Sequence, residues 1–185
     1  MHEIPLPHGI MTRFPAVGVN KNALILCPGG GYEHCSIREG APAGRAFAKS
    51  GVEAFVLRYD CAPAPLGTRP LAALSAAVQW VRAHAEQYGI SPQRIAVGGF
   101  SAGAHLAGLH AAVWNRASWY PQGTDLALHQ PNAAFIQGLC HLHALFSTHA
   151  AALNSLQGTI WKNSRRSRSK LWCLPICRAP SSGIR

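Results

Sequence analysis

A serine held between two glycines is the first place in this chain where residue type and spacing imply chemistry. Gly99-Phe100-Ser101-Ala102-Gly103 follows a short β-branched run, Ile95-Ala96-Val97, and leads into Ala104-His105-Leu106-Ala107. G-x-S-x-G between a strand and a helix is the pattern that presents a nucleophilic serine on a tight turn. The spacing has a steric cause. The turn is sharp, so the residues two before and two after the serine must be small. Gly99 and Gly103 meet that need, and Ala104 lets the helix lie close to the strand. The turn lifts the Ser101 hydroxyl out of the sheet and sets the Ala102 N–H at a helix N-terminus. There the amide and the helix dipole stabilise a developing oxyanion. The bland alternative is a glycine-rich turn with an incidental serine, and the strand before it and the helix after it weigh against that.

A second glycine group stands earlier, Pro28-Gly29-Gly30-Gly31-Tyr32, directly after the apolar run Ala23-Leu24-Ile25-Leu26-Cys27. Glycines there let the backbone approach a ligand and turn N–H groups toward it. A flexible loop is one alternative. A phosphate-binding loop is another, but it requires G-x-x-x-x-G-K-[ST], which is missing here. Paired with the serine turn, the stretch reads as the second half of an oxyanion hole, with Pro28 where such loops usually carry histidine.

The elements that must position these two turns follow from periodicity. The run 23–27 is continuous and apolar, as a buried parallel strand should be. Residues 43–50 read as a helix stopped by Gly51, and 54–59 as the next strand. A Pro/Gly loop over 61–69 precedes Pro70, which suits the first turn of a long helix. Leu71, Leu74, Ala77, Val78, Val81 and Ala85 form its buried stripe, while Trp80 and Tyr88 read as packing residues. The helix after Ser101 runs to about Val113, and 133–136 resembles a further strand. Residues 1–20, with Pro5, Pro7, Pro15, Gly9 and Gly18, read as irregular, with at most an edge strand. Strand and helix alternation predicts a parallel sheet covered on both faces.

Composition sets the outer bounds. A chain of 185 residues is one domain by length. No stretch of 18 apolar residues spans a membrane, and the start shows no secretory pattern. Six cysteines (27, 35, 61, 140, 173, 177) lie without a paired framework. That spacing suits a reduced, cytoplasmic setting. No motif calls for a metal or a cofactor.

Enough residues are now in place to name a resemblance. Roughly residues 22–136 resemble the acetyl-esterase/acetylxylan-esterase-like branch of the α/β hydrolases. The carrying segments are Leu26 to Tyr32, Phe55-Val56-Leu57-Arg58-Tyr59, Ser91 to Ala107, and Pro131-Asn132-Ala133-Ala134. The resemblance implies a partial α/β-hydrolase fold: about four parallel strands with flanking helices, the C-terminal part missing. It implies ester hydrolysis through an acyl-serine intermediate, acting on a small acyl ester or an acetylated carbohydrate. Ser101 would be the nucleophile, and the N–H groups of Gly30, Gly31 and Ala102 the oxyanion hole. A peptidase on the same fold is the nearest alternative within enzymes.

The expected acid and base should follow the serine in the order Ser, Asp/Glu, His. After Ser101 the sequence holds a single carboxylate, Asp125, and the histidines 105, 110, 129, 141, 143 and 149. Asp125 comes too early, since the family's acid follows two more strands. His105 and His110 belong to the helix after Ser101 and point away from its hydroxyl. The other histidines lack the glycine-flanked setting of the family base. A serine without a base is a poor nucleophile at neutral pH, so this chain is expected to be impaired or inactive.

Charge marks where the pattern breaks. Residues 1–125 carry ten Lys/Arg and all seven Asp/Glu, whereas 126–185 carry seven Lys/Arg and no acidic residue. Hydrolase patterning stops near Gln137, which divides the chain into 1–136 and a basic, poorly ordered tail, 137–185. The tail holds Arg165-Arg166-Ser167-Arg168-Ser169-Lys170 and the pair Cys173, Cys177. Half a metal site and a nucleic-acid patch are weaker readings of it. A non-catalytic, hydrolase-like binding protein with a basic tail is the alternative to an enzyme. The favoured account of the tail is a frameshift between about 135 and 143. Permitted codons for 148–169 let the frame two bases later recover acidic residues, a Gly-Ser-Phe segment and a capped amphipathic helix.

Overall fold

The computed structural model describes residues 2–137, apart from 20, 21, 64 and 121. Residues 138–185, with the basic run and the cysteine pair, lie outside the described residues, as do His141, His143 and His149 among them.

Six strands form one sheet in the order β1-β2-β4-β3-β5-β6. They are β1 (His2–Leu6), β2 (Gly9–Phe14), β3 (Ala23–Cys27), β4 (Glu53–Tyr59), β5 (Ile95–Phe100) and β6 (Ala133–Gln137). β3, β4, β5 and β6 run parallel, as the alternation predicts, while β1 and β2 pair antiparallel and β2 joins antiparallel to β4. The helices are α1 (Ala41–Lys49), α2 (Arg69–Ala83) and α3 (Ala102–Val113).

The N-terminal hairpin corrects the irregular reading of residues 1–20. Its prolines mislead because β1 is the edge strand, where a residue without an N–H removes no bond to a further strand. Pro5 pairs opposite Ile10 there. The inward positions, Ile4, Met11 and Phe14, are buried.

The sheet is covered on both faces. α2 and α3 lie on one side, where Leu71, Leu74, Val78, Val81, Leu106 and Ala107 pack with Ile25, Phe55, Leu57 and Val97. α1 lies on the other, over Phe14, Leu24, Leu26 and Val56. All five residues of β3 are buried, as expected of a strand enclosed on both faces. The predicted α2 stripe is buried throughout, Ala85 included. Trp80 and Tyr88 are packing residues: their rings meet Phe55, and the Arg13 guanidinium sits 4.0 Å above the Tyr88 ring. No helix among the described residues is long and apolar enough to cross a membrane.

Candidate functional site

Register brings the two glycine-rich turns together. β3 and β5 are neighbours, and Cys27 at the end of β3 pairs with Gly99 near the end of β5. The chain leaves both strands at the same level. Pro28 to Tyr32 therefore starts beside Phe100-Ser101.

Ser101 sits between β5 and α3 with φ 50° and ψ −116°. A side chain in that region costs on the order of 1–3 kcal/mol and persists only where neighbours enforce it. They do so here. The Ser101 N–H donates to the Gln137 carbonyl at 3.0 Å, which ties the turn to β6. Its carbonyl accepts from the His105 N–H at 3.0 Å, opening α3.

Both elbow glycines are sterically required. A Cβ on Gly99 would lie 2.5 Å from the Cys27 carbonyl oxygen, and one on Gly103 would lie 2.5 Å from that of Pro28. Each clash is against backbone. Ala102 and Ala104 are buried beneath the turn. The Ala102 N–H stands at the start of α3, where no carbonyl of the same helix can reach it.

The loop after β3 is shaped by positive φ at Gly30 (127°), Gly31 (65°) and Tyr32 (64°). The Gly30 carbonyl accepts from the N–H groups of Glu33 and His34, and the Gly29 carbonyl from that of Ser36. Among the described residues, the Gly30 and Gly31 N–H groups have no such partner. Gly29 abuts the elbow: a Cβ there would come within 3.1 Å of the Ser101 Cβ and 2.8 Å of the Phe100 carbonyl oxygen.

The sequence did not mark the residues that hold this loop. The Glu39 carboxylate accepts from the Gly29 N–H at 2.8 Å, a charge-assisted bond on the residue that abuts the elbow. Tyr32 is buried, and its hydroxyl lies 2.8 Å from His105 Nδ1. Burial raises the Tyr32 pKa and lowers that of His105, so both are neutral. Tyr59, at the end of β4, donates its hydroxyl to the Pro28 carbonyl at 2.7 Å. The Ala62 N–H donates to the Tyr32 carbonyl at 2.9 Å. Glu39, ten residues after Gly29, carries no periodic signal. Only the tyrosines at the ends of two recognised elements could have hinted at such a brace.

Glu39 carries a direct prediction. Glu39→Ala leaves the Gly29 N–H without its acceptor, a loss of about 1–3 kcal/mol. For a chain of this size that lowers the thermal midpoint by about 3–10 °C. Glu39→Gln keeps an oxygen acceptor and should recover most of the difference. Equal melting of the two variants by circular dichroism would remove Glu39 from this role.

The histidines and the acid are placed elsewhere. His105 braces the loop through Tyr32. His110 lies within α3, fully buried, and neither ring nitrogen has a partner among the described residues. His129 Nδ1 lies 2.8 Å from the Ser75 hydroxyl, which is also 3.0 Å from that of Tyr120. Asp125 caps a short 3-10 turn by accepting from the Ala127 N–H at 3.0 Å. Among the described residues, neither a histidine ring nor a carboxylate hydrogen-bonds the Ser101 hydroxyl, and none group in threes to hold a metal ion.

Comparison with known proteins agrees with this geometry. The BD-FAE family model matches residues 14–143. Endo-1,4-beta-xylanase B of Butyrivibrio fibrisolvens is 38% identical over 93 residues, covering 49% of this chain and 15% of that protein. The crystal structure of MGS-M1, an α/β hydrolase from a Medee basin deep-sea metagenome, is 29% identical with a TM-score of 0.57. It covers 72% of this chain and 54% of its own. The acetyl ester-xyloside bifunctional hydrolase of Caldicellulosiruptor lactoaceticus is also 29% identical, with a TM-score of 0.56, over 68% of this chain and 47% of its own. The chain thus spans about half the length of these solved enzymes and a smaller share of the xylanase. A family match over most of the chain, on a sheet that carries the elbow and its glycine loop, makes this chain a member of the BD-FAE family, with a partial α/β-hydrolase fold.

Proposed function

We propose that the chain carries the nucleophile half of a serine ester hydrolase. Its substrates are small acyl esters, acetylated carbohydrate among them. The observation that supports this most is Ser101 at positive φ between β5 and α3, with Gly29 packed against its Cβ. Ser101 is the nucleophile, and the N–H groups of Gly30, Gly31 and Ala102 receive the oxyanion. The names of the relatives, a xylanase and an acetyl ester-xyloside hydrolase, favour esters on xylose-based carbohydrate.

The step would run by attack of the Ser101 oxygen on the ester carbonyl, with charge gathering on the carbonyl oxygen beneath those amides. Oxyanion stabilisation is the part of catalysis these residues supply. The proton of the serine needs an acceptor, and among the described residues no histidine ring hydrogen-bonds the Ser101 hydroxyl: His105 bonds Tyr32 and His129 bonds Ser75. With no other base in place, turnover falls on the order of 10⁶-fold below an intact serine triad. The segment after residue 143, where the family match ends, is proposed as one without hydrolase character. Sequencing the gene across codons 130–145 and beyond codon 185 tests its origin: an intact frame would sink the frameshift account.

External base supplies the functional test. Imidazole added to the full chain should accelerate acetylation of Ser101 by p-nitrophenyl acetate, read as acetyl mass on the peptide holding residue 101. Ser101→Ala should abolish that acetylation. Equal imidazole response in both proteins, with acetyl found elsewhere, would favour the non-catalytic reading.

A further inference from the structure

Cys35 and Cys61 stand 26 positions apart in sequence, and their sulfurs lie 3.7 Å apart. Cys35 belongs to the segment leaving the glycine loop. Cys61 lies just after β4. Each sulfur also lies within reach of the Tyr59 carbonyl, at 3.6 and 3.4 Å. The two segments are already tied to one another ahead of Cys35, by bonds from residues on either side of Cys61. The Ala62 N–H donates to the Tyr32 carbonyl, and the Tyr59 hydroxyl to the Pro28 carbonyl. A disulfide needs the sulfurs at about 2.05 Å. Each must move by less than about 1 Å.

Access and reactivity agree. Both cysteines are half-buried, whereas Cys27 is fully buried. Cys35 lines a groove of about 580 Å³ with Pro28, Ser36, Ile37 and Arg58. Its neighbours differ from those of an inert core thiol. Hydrogen bonding with Cys61 and the Arg58 guanidinium lower its pKa against the opposing effect of burial. Cys61 shifts the other way, chiefly through Cys35. Cys35, the one of the pair that lines the groove, is the attacking thiol and Cys61 the resolving one.

We propose that Cys35 and Cys61 form a reversible thiol–disulfide modification site, oxidised by low-molecular-weight disulfides such as oxidised glutathione. Cys35 thiolate attacks one sulfur of the small disulfide, and the departing thiolate takes up the proton as a free thiol. Cys61 then gives up its proton and attacks the Cys35 sulfur of the mixed disulfide, releasing the second small thiol. Two protein thiols are oxidised and one small disulfide is reduced to two thiols. The product fastens the glycine loop to the end of β4. The inference concerns thiol chemistry and stands apart from the hydrolase reading.

The test uses the full chain, with its three further cysteines at 140, 173 and 177. Reduced protein is incubated with oxidised glutathione, quenched with N-ethylmaleimide and mapped by mass spectrometry of its peptides. The expected product is an intramolecular cross-link joining the peptides of Cys35 and Cys61, reversed by dithiothreitol. It should vanish in Cys35→Ser and in Cys61→Ser and survive in Cys27→Ser. Closing a loop of this length should also raise the thermal midpoint by about 6 °C or more. The map of the unaltered protein decides the matter even if a variant fails to fold. Full alkylation of both cysteines after oxidation, stable glutathione adducts on either, or cross-links only to 140, 173 or 177 would overturn the proposal.

Discussion

Gly103→Ala is expected to be among the most damaging single methyl groups that can be added to this protein. The new Cβ would meet the Pro28 carbonyl oxygen at 2.5 Å and press on the Cys27 carbonyl as well. Neither obstacle is a side chain that can rotate away. Both belong to the junction where β3 ends and the glycine loop begins. Relief requires α3 to back away from the sheet or the loop to move off the elbow. Overpacking of a filled site costs about 1–3 kcal/mol and more when backbone must shift. Here the upper end or beyond applies, so the thermal midpoint should fall by about 10 °C. Acetylation of Ser101 in the presence of imidazole should be lost with it. Gly108→Ala is a matched control within the same helix, since its nearest neighbour is the end of the Ile136 side chain, at 3.1 Å. If the two alanines melt within 2 °C of each other, the steric account of the elbow is wrong.

The second large effect is a loss of stability in mild acid, traceable to His110. Its ring is fully buried within α3, and its folded pKa is lowered to about 3, first by burial and then by the nearby His129. In the unfolded chain the same group titrates near 6.5. Between those values the unfolded state binds a proton that the folded state refuses. Stability is therefore full above about pH 6.5 and falls as pH drops, by about 1.4 kcal/mol per unit. At pH 4.5 the loss from this group alone is about 3 kcal/mol. His129, lowered chiefly by burial, adds to the slope in the same direction. Carboxylates titrate in part of this range, so the comparison must be with His110→Leu. That variant removes two unpartnered nitrogens and should flatten the curve of urea midpoint against pH between 4.5 and 6.5. Its stability at pH 7.5 should equal or exceed that of the unaltered protein. Superimposable curves would mean that His110 takes up its proton in the folded state.

What could be read from the sequence was what short-range pattern determines. The α2 stripe, the continuous apolar run of β3 and the strand–turn–helix around Ser101 all declare themselves within a dozen residues. The elbow glycines are legible because the G-x-S-x-G pattern marks them, although the backbone they must clear, at Cys27 and Pro28, lies on a neighbouring strand. The N-terminal hairpin was hidden because proline marks a break in most settings, and only the sheet order reveals β1 as an edge. Glu39, the Tyr32–His105 bond and the Cys35–Cys61 pair were hidden for another reason. Each depends on segments joined by tertiary contact, at separations of 10, 73 and 26 positions. No periodicity connects them. The burial of His110 beside His129, 19 positions further on, has the same origin.

The level ends of β3 and β5 also constrain how this chain can vary. Cys27 opposes Gly99, and one strand further on Phe100 opposes Gln137. The spacing between Ser101 and the glycine loop is thus measured in strand register rather than by either loop. Adding or deleting one residue within β3 or β5 would slide one turn past the other by about 3.3 Å and reverse the faces of the strand. The same change in 61–69, or between α3 and β6, would leave the register intact. Length variation in descendants of this sequence should collect in those connections and be purged from the two strands.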